Sequence, residues 1–345
     1  MFGNPPVPAT CNARGVTVEA SIRPRGPYSL RLSGALRSDA TRLVRDGVLR
    51  CLLSVEGGVE EARAWQLSDG TVCIRAESEA GLGRMRFVLA LDDDHSEFLR
   101  EFADDPLLRR ALLVLRGYRP MRVPTVAQAL LRALCGQLIE SSRARAIERR
   151  IVRAASAPRD GLHPPPDAAV LAAFPPAELR RLGLHARRGA TLVRLCRALD
   201  LERLREVPTH AAAARLERER GLGPWSVGVI CLEGLGRPER GLARDLGLVK
   251  LCSALHGRRA EPWETDELLA PYGEWAGLAS VYLLQGFARV AKEGAQGAAL
   301  VADGLAGGRH RQLVETMAIR AARGTVLDHL YVVPRDAARR RLGLG

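Results

Sequence analysis

Apolar residues recur along this chain with two different periods. Over 16–91, short runs at 16–22, 28–32, 63–67, 72–76 and 85–91 alternate apolar with polar positions or carry β-branched side chains. A period of two is that of a half-buried strand, and Asp69-Gly70 and Gly81-Leu82-Gly83 punctuate the runs as turns would. Among them, 39–53 places Leu43, Val44, Val48, Leu49 and Leu52 on one face and predicts a single helix. The pattern predicts an antiparallel α+β domain, and nothing in it looks catalytic.

After Asp92-Asp93-Asp94 the period becomes helical and stays so. One helix is predicted over 98–114, with Arg109 and Arg110 near its end, where the dipole favours cations. A basic, Pro-containing linker follows over 115–124. Thr125 suits the cap of the next helix, whose apolar stripe runs Val126, Leu130, Leu134 and Leu138. Further helices are predicted over 144–155, 168–173, 176–182, 187–199, 201–206, 210–218, 246–255, 275–291 and 309–322. A short one ending at 269 would be capped by Thr265.

One stretch in this helical part carries candidate chemistry: Arg220-Gly221-Leu222-Gly223-Pro224-Trp225-Ser226. Two glycines flanking a leucine make a turn without Cβ obstruction, so the backbone can approach another molecule closely. Pro224 suits the first position of a helix in which Trp225, Val229, Leu232 and Leu235 recur at helical spacing. The amides and the positive dipole end of that helix favour an anion. Glycines beside a helix start are also ordinary turn punctuation, and the spacing alone leaves both readings open.

The 345 residues are enough for two or three domains with real cores. Lys and Arg total 52 against 39 Asp and Glu, a net charge of +13 that points to a polyanionic partner. No apolar run approaches a membrane span, and the first residues lack a signal-peptide pattern. The seven cysteines, Cys11, Cys51, Cys73, Cys135, Cys196, Cys231 and Cys252, never form a C-x-x-C pair. That spacing favours reduced thiols in a cytosol and speaks against a zinc ribbon or iron-sulfur site, so neither metal nor cofactor is expected.

Several pieces agree in order with a known family: Tyr118-Arg119-Pro120 through Val123-Pro124; Ala133-Leu134-Cys135-Gly136-Gln137-Leu138-Ile139; Leu182-Gly183-Leu184 with Arg187-Arg188-Gly189-Ala190; the turn above; and Asp245-Leu246-Gly247-Leu248. Together they resemble the helix-hairpin-helix DNA glycosylase superfamily, in its alkylated-purine branch of the bacterial 3-methyladenine DNA glycosylase II type. The resemblance covers roughly 92–291. It implies a small α+β antiparallel-sheet domain over 1–112 and a mainly α helix-hairpin-helix glycosylase core over 113–300. That core would have two helical subdomains with the cleft between them, followed by a basic C-terminal extension over 301–345.

Carried over by position, the resemblance implies that Asp245 is the catalytic carboxylate, stabilising the positive charge left on deoxyribose as the N-glycosidic bond breaks. Asp245 also precedes the helix predicted over 246–255 and would cap it, and the two roles can coexist. Gly221, Leu222, Gly223 and Ser226 would bind the DNA backbone. Leu138 would be the wedge that fills the gap left by an extruded base, or else a core leucine continuing its stripe. Trp225, Gln137 and Tyr282 would line the base pocket, although a tryptophan in a first helical turn can simply be packed. The lysine with which the bifunctional branches form a Schiff base falls at Trp225, which argues against lyase activity.

The chain departs from the family at Arg220, where a proline is usual, and at Arg244, where a small or acidic residue is usual. The aromatic expected late in the helix over 275–291 falls near Leu284, with Tyr282 close by. The implied protein is a monofunctional base-excision-repair glycosylase releasing an alkylated or otherwise modified purine. The alternative is a catalytically weak or silent helix-hairpin-helix protein recognising damaged DNA. Its partner would be double-stranded DNA containing damaged bases, without a membrane, and the protein a monomer in a bacterial-type cytoplasm, associated with the nucleoid.

Overall fold

The computed structural model describes residues 17–34, 39–56 and 58–293. A five-stranded antiparallel sheet stands first, built from β1 (Val18–Ile22), β2 (Arg42–Arg45), β3 (Val48–Val55), β4 (Gly58–Gln66) and β5 (Val72–Ala76), in the order β1-β5-β4-β3-β2. The single helix expected over 39–53 is therefore a hairpin. Asp46 and Gly47 at its tip have φ of 51° and 77°, the pair of left-handed residues that a two-residue hairpin turn requires. Period two then sends Leu49, Cys51 and Leu53 into the core.

The runs at 28–32 and 85–91 are not strands. They lie in or beside α1 (Leu30–Gly34) and α2 (Glu79–Val88). Ser78 caps α2 by accepting from the Gly81 amide at 3.1 Å. Gly81 is inside this helix rather than between strands: a Cβ there would sit 3.3 Å from the Ala76 Cβ, so glycine lets the helix press onto the sheet. Leu82, Met85 and Val88 of α2 close a core with Ala62, Ala64, Val72 and Ile74.

The helix expected over 98–114 is two, α3 (Ser96–Glu101) and α4 (Arg109–Val114). Asp105 breaks it, with Oδ1 accepting from the Leu107 and Leu108 amides at 2.9 and 2.8 Å beside Pro106. The remaining helices are α5 (Val126–Gly136), α6 (Ser141–Ala155), α7 (Ala168–Ala173), α8 (Pro176–Arg181), α9 (Ala186–Ala198), α10 (Thr209–Glu217), α11 (Pro224–Val229), α12 (Leu246–His256), α13 (Glu264–Leu269) and α14 (Ala276–Glu293). Thr265 does not cap α13 but lies in its first turn. The helix expected over 309–322 lies outside the described residues. Among the described residues no helix is long and apolar enough to cross a membrane.

The basic linker over 115–124 is largely buried. Arg119 is 1% exposed and donates to the carbonyls of Ala90 at 2.8 Å and of Arg25, while its guanidinium lies over the Tyr28 ring. A second buried arginine, Arg132 on α5, meets Asp39 at 2.6 Å, Glu148 of α6 at 2.9 Å and Glu233. The described residues fall into two compact units. One is drawn from the described residues of 17–98, 115–242 and 274–278, the other from 99–114, 243–273 and 279–293.

Candidate active site

In the first unit, α10 and α11 are joined through Gly221-Leu222-Gly223, with Pro224 at the first position of α11 and Gly223 as its cap residue. Gly221 has φ 99°, and a Cβ there would lie 2.9 Å from Thr191 of α9, so only glycine fits. The Leu222 amide is engaged, donating to Glu219 O at 3.1 Å, and its side chain is buried. Gly221 and Gly223 are exposed, and among the described residues their amides have no partner. Arg194 braces the approach to the turn: it donates to Glu219 Oε2 and to Arg220 O, each at 2.8 Å. The first of these bonds, with Arg215, holds the Glu219 carboxyl below its usual value.

The end of α5 meets this turn. Gln137 Nε2 donates to Gly221 O at 2.9 Å and to Ser226 Oγ at 3.0 Å. Ser226 is buried, so its hydroxyl is turned to Gln137 rather than to the surface. Trp225 packs its ring over Gly136, where a Cβ would approach Cη2 to 2.5 Å. Leu138 does not continue the stripe of α5. The helix has ended at Gly136, and Leu138 stands in left-handed backbone at φ 53° with 80% of its surface exposed.

In the second unit, Asp245 caps α12, with Oδ1 accepting from the Gly247 amide at 2.7 Å. The residue is half-buried. Gly247 makes the arrangement possible, since a Cβ there would sit 3.0 Å from Asp245 Oδ1 and 2.4 Å from Leu284 Cδ2. Leu284 is on α14, as is Tyr282, which is buried at 1% exposure. Arg244, immediately before Asp245, has φ 66° and donates its amide to Thr265 Oγ1 at 2.6 Å.

The first unit thus presents an exposed leucine close to the Gly-x-Gly turn, and the second unit a half-buried capping aspartate. A DNA-3-methyladenine glycosylase of Bacillus subtilis is 24% identical over 206 residues, 56% of this chain and 67% of the relative. A Mycobacterium tuberculosis protein, named as a bifunctional transcriptional activator/DNA repair enzyme AlkA, is 26% identical over 281 residues. That match takes in 74% of this chain but 57% of the relative. Among solved structures, the 3-methyladenine DNA glycosylase from Archaeoglobus fulgidus superposes with a TM-score of 0.69 at 20% identity, covering 77% of this chain and 97% of the other. This chain therefore has the fold of that glycosylase, and its relatives support the resemblance to the helix-hairpin-helix DNA glycosylase superfamily. A family model described as a protein of unknown function, DUF1464, matches residues 266–332.

Gly136 packs under Trp225 in the first unit, and Gly247 and Thr265 contact Asp245 and Arg244 in the second; periodicity did not single out any of the three for this. Gly247 was visible as a glycine in the first turn after Asp245, a position where a helix otherwise gains from a side chain. Thr265 reads locally as a helix cap, and nothing local points to its bond with Arg244, 21 residues away.

Proposed function

We propose that this protein is a monofunctional DNA glycosylase that extrudes an alkylated or otherwise modified purine and hydrolyses its N-glycosidic bond, leaving an abasic site. The observation that carries the reading is Asp245, held half-buried at the start of α12 by the Gly247 amide. A fixed carboxylate in a partly dry position stabilises the positive charge that develops on deoxyribose and can orient the attacking water. An alkylated purine leaves readily, so the demand on a separate general acid is small. The names of the relatives support alkylated bases as the substrate class.

The other residues take roles around that step. The Gly221 and Gly223 amides bind a backbone phosphate and fix the duplex without reading sequence. Leu138 enters the stack where the nucleotide leaves it. Trp225, Gln137 and Tyr282 take the base-pocket roles that the resemblance implies. No lysine opens α11, Trp225 standing there instead, and this supports hydrolysis over Schiff-base chemistry. The helical core divides into two lobes, as the family's architecture implies.

The test is release of free bases from methylated duplex DNA by the full chain, identified by mass spectrometry, with borohydride present in a parallel reaction. Free alkylated purine and no protein–DNA adduct are expected. Asp245→Asn should lose on the order of a hundredfold or more in single-turnover rate, the scale of one lost electrostatic contact to a transition state, while duplex binding persists. Equal release by the variant removes the role of Asp245. A borohydride-trapped adduct removes the monofunctional assignment.

A further inference from the structure

Arg244 is a non-glycine residue in left-handed backbone, φ 66°. An L side chain crowds its own carbonyl there, so such a residue persists only where its surroundings hold it. The hold comes from the first turn of α13. The Arg244 amide donates to Thr265 Oγ1 at 2.6 Å, and the same hydroxyl donates to Pro262 O at 2.7 Å. Thr265 is fully buried, and with its proton on Pro262 the hydroxyl presents its lone pairs to Arg244. The Arg244 guanidinium also lies 3.9 Å from Asp266 Oδ2, but both side chains are about half exposed and that tie is weak.

Directly after this reversal the chain returns to ordinary geometry. Asp245 has φ −62° and ψ 133° and places Oδ1 on the Gly247 amide at 2.7 Å. The direction in which the carboxylate leaves the backbone therefore depends on the conformation of residue 244. Without the Thr265 bond, Arg244 is free to relax toward negative φ, and Asp245 would turn with it.

We infer that Thr265 is a positioning residue for the reaction: its buried hydroxyl holds Arg244 left-handed and so aims the Asp245 carboxylate. The inference rests on the reading of Asp245 as the reacting carboxylate. Thr265 itself is buried and touches no reacting atom.

The test compares Thr265→Val, which removes the hydroxyl at nearly constant volume, with Thr265→Ser, which keeps it. Single-turnover release from methylated duplex DNA and exchange of the Gly247 amide are both measured on the full chain. Thr265→Val should slow release roughly tenfold, the scale of one lost buried hydrogen bond, and speed Gly247 exchange, with duplex affinity within about twofold of wild type. Thr265→Ser should restore both. In an Arg244→Gly background residue 244 adopts positive φ without steric cost. There the Thr265→Val loss should shrink to about twofold or less, the coupling expected of two residues acting through one contact. Wild-type rate and wild-type Gly247 exchange in Thr265→Val would overturn the inference. So would an undiminished Thr265→Val loss in the glycine background, which marks a merely structural role. Asp245→Asn run in parallel keeps the two readings apart. Full release by that variant ends the catalytic reading of Asp245, while Gly247 exchange still decides whether Thr265 holds the carboxylate.

Discussion

Leu138 shows how one backbone conformation changes the meaning of a side chain. Had α5 run two residues further, Leu138 would have continued the stripe of Val126, Leu130 and Leu134. Instead it is left-handed and 80% exposed, and an exposed leucine held this way stabilises nothing by burial. Leu138→Ala should accordingly change the unfolding free energy by no more than about 0.5 kcal/mol, as surface substitutions do. On the proposed function, base release from duplex DNA should fall on the order of tenfold, because extrusion costs a few kcal/mol and a wedge at Leu138 would offset part of it. Release from single-stranded DNA needs no wedge and should hardly change. Equal losses on the two substrates would assign Leu138 another role. Asp245 teaches the complementary lesson, since capping α12 is the means by which the structure holds the carboxylate where it is.

Between elements, the buried charges around Arg132 join α5, α6 and the helical turn carrying Glu233 to Asp39 of the sheet region. Burial alone would raise the Asp39 and Glu233 carboxyls. Arg42 and Arg132 beside Asp39, and Arg132 and Arg145 beside Glu233, outweigh it and hold both below their ordinary values. A carboxyl lowered by folding contributes stability that is complete above its unfolded value, near pH 4, and is lost as pH falls through the folded one. The melting temperature should therefore drop as pH is lowered from about 5 toward 2. Arg132→Met leaves the three carboxylates without their central partner and should cost about 3–5 kcal/mol near pH 7. Its gap from the wild type should narrow in acid, where those carboxylates protonate. Thermal melts of both proteins across this range check the sign, and a gap that stays constant would show that the cluster is not the acid-sensitive element. Here the sequence pattern was misleading about Asp39, which read as the start of a helix. The Asp46-Gly47 turn was in plain view, but hydrophobic spacing over 39–53 satisfied a helical period as well as two short strands.

At the scale of the whole molecule, the net charge of +13 is a statement about partners rather than about fold. A few of the arginines lie inside, Arg42, Arg119, Arg122 and Arg132 being buried. Duplex affinity should still fall with salt, with a log-log slope of about −0.9 for each phosphate neutralised. A slope near zero in a salt titration of binding would remove the polyanion reading of the charge. What the sequence by itself determined was most of the helices from Val126 onward, the turn with its proline start, and the candidacy of Asp245. Helical period, glycine, proline and capping residues act over a few positions, so they can be read from local spacing. Only the tertiary structure decided that 39–53 is a hairpin, that Leu138 is exposed, that Ser226 turns inward to Gln137, and that Thr265 holds Arg244. Each of these depends on groups far apart in sequence whose contact removes a steric or hydrogen-bonding alternative, and nothing in the spacing of residues records which partner that will be. The Gly-Leu-Gly turn spans both cases: its glycines were visible at once, and Thr191 packed against Gly221 supplies the reason that one of them must be glycine.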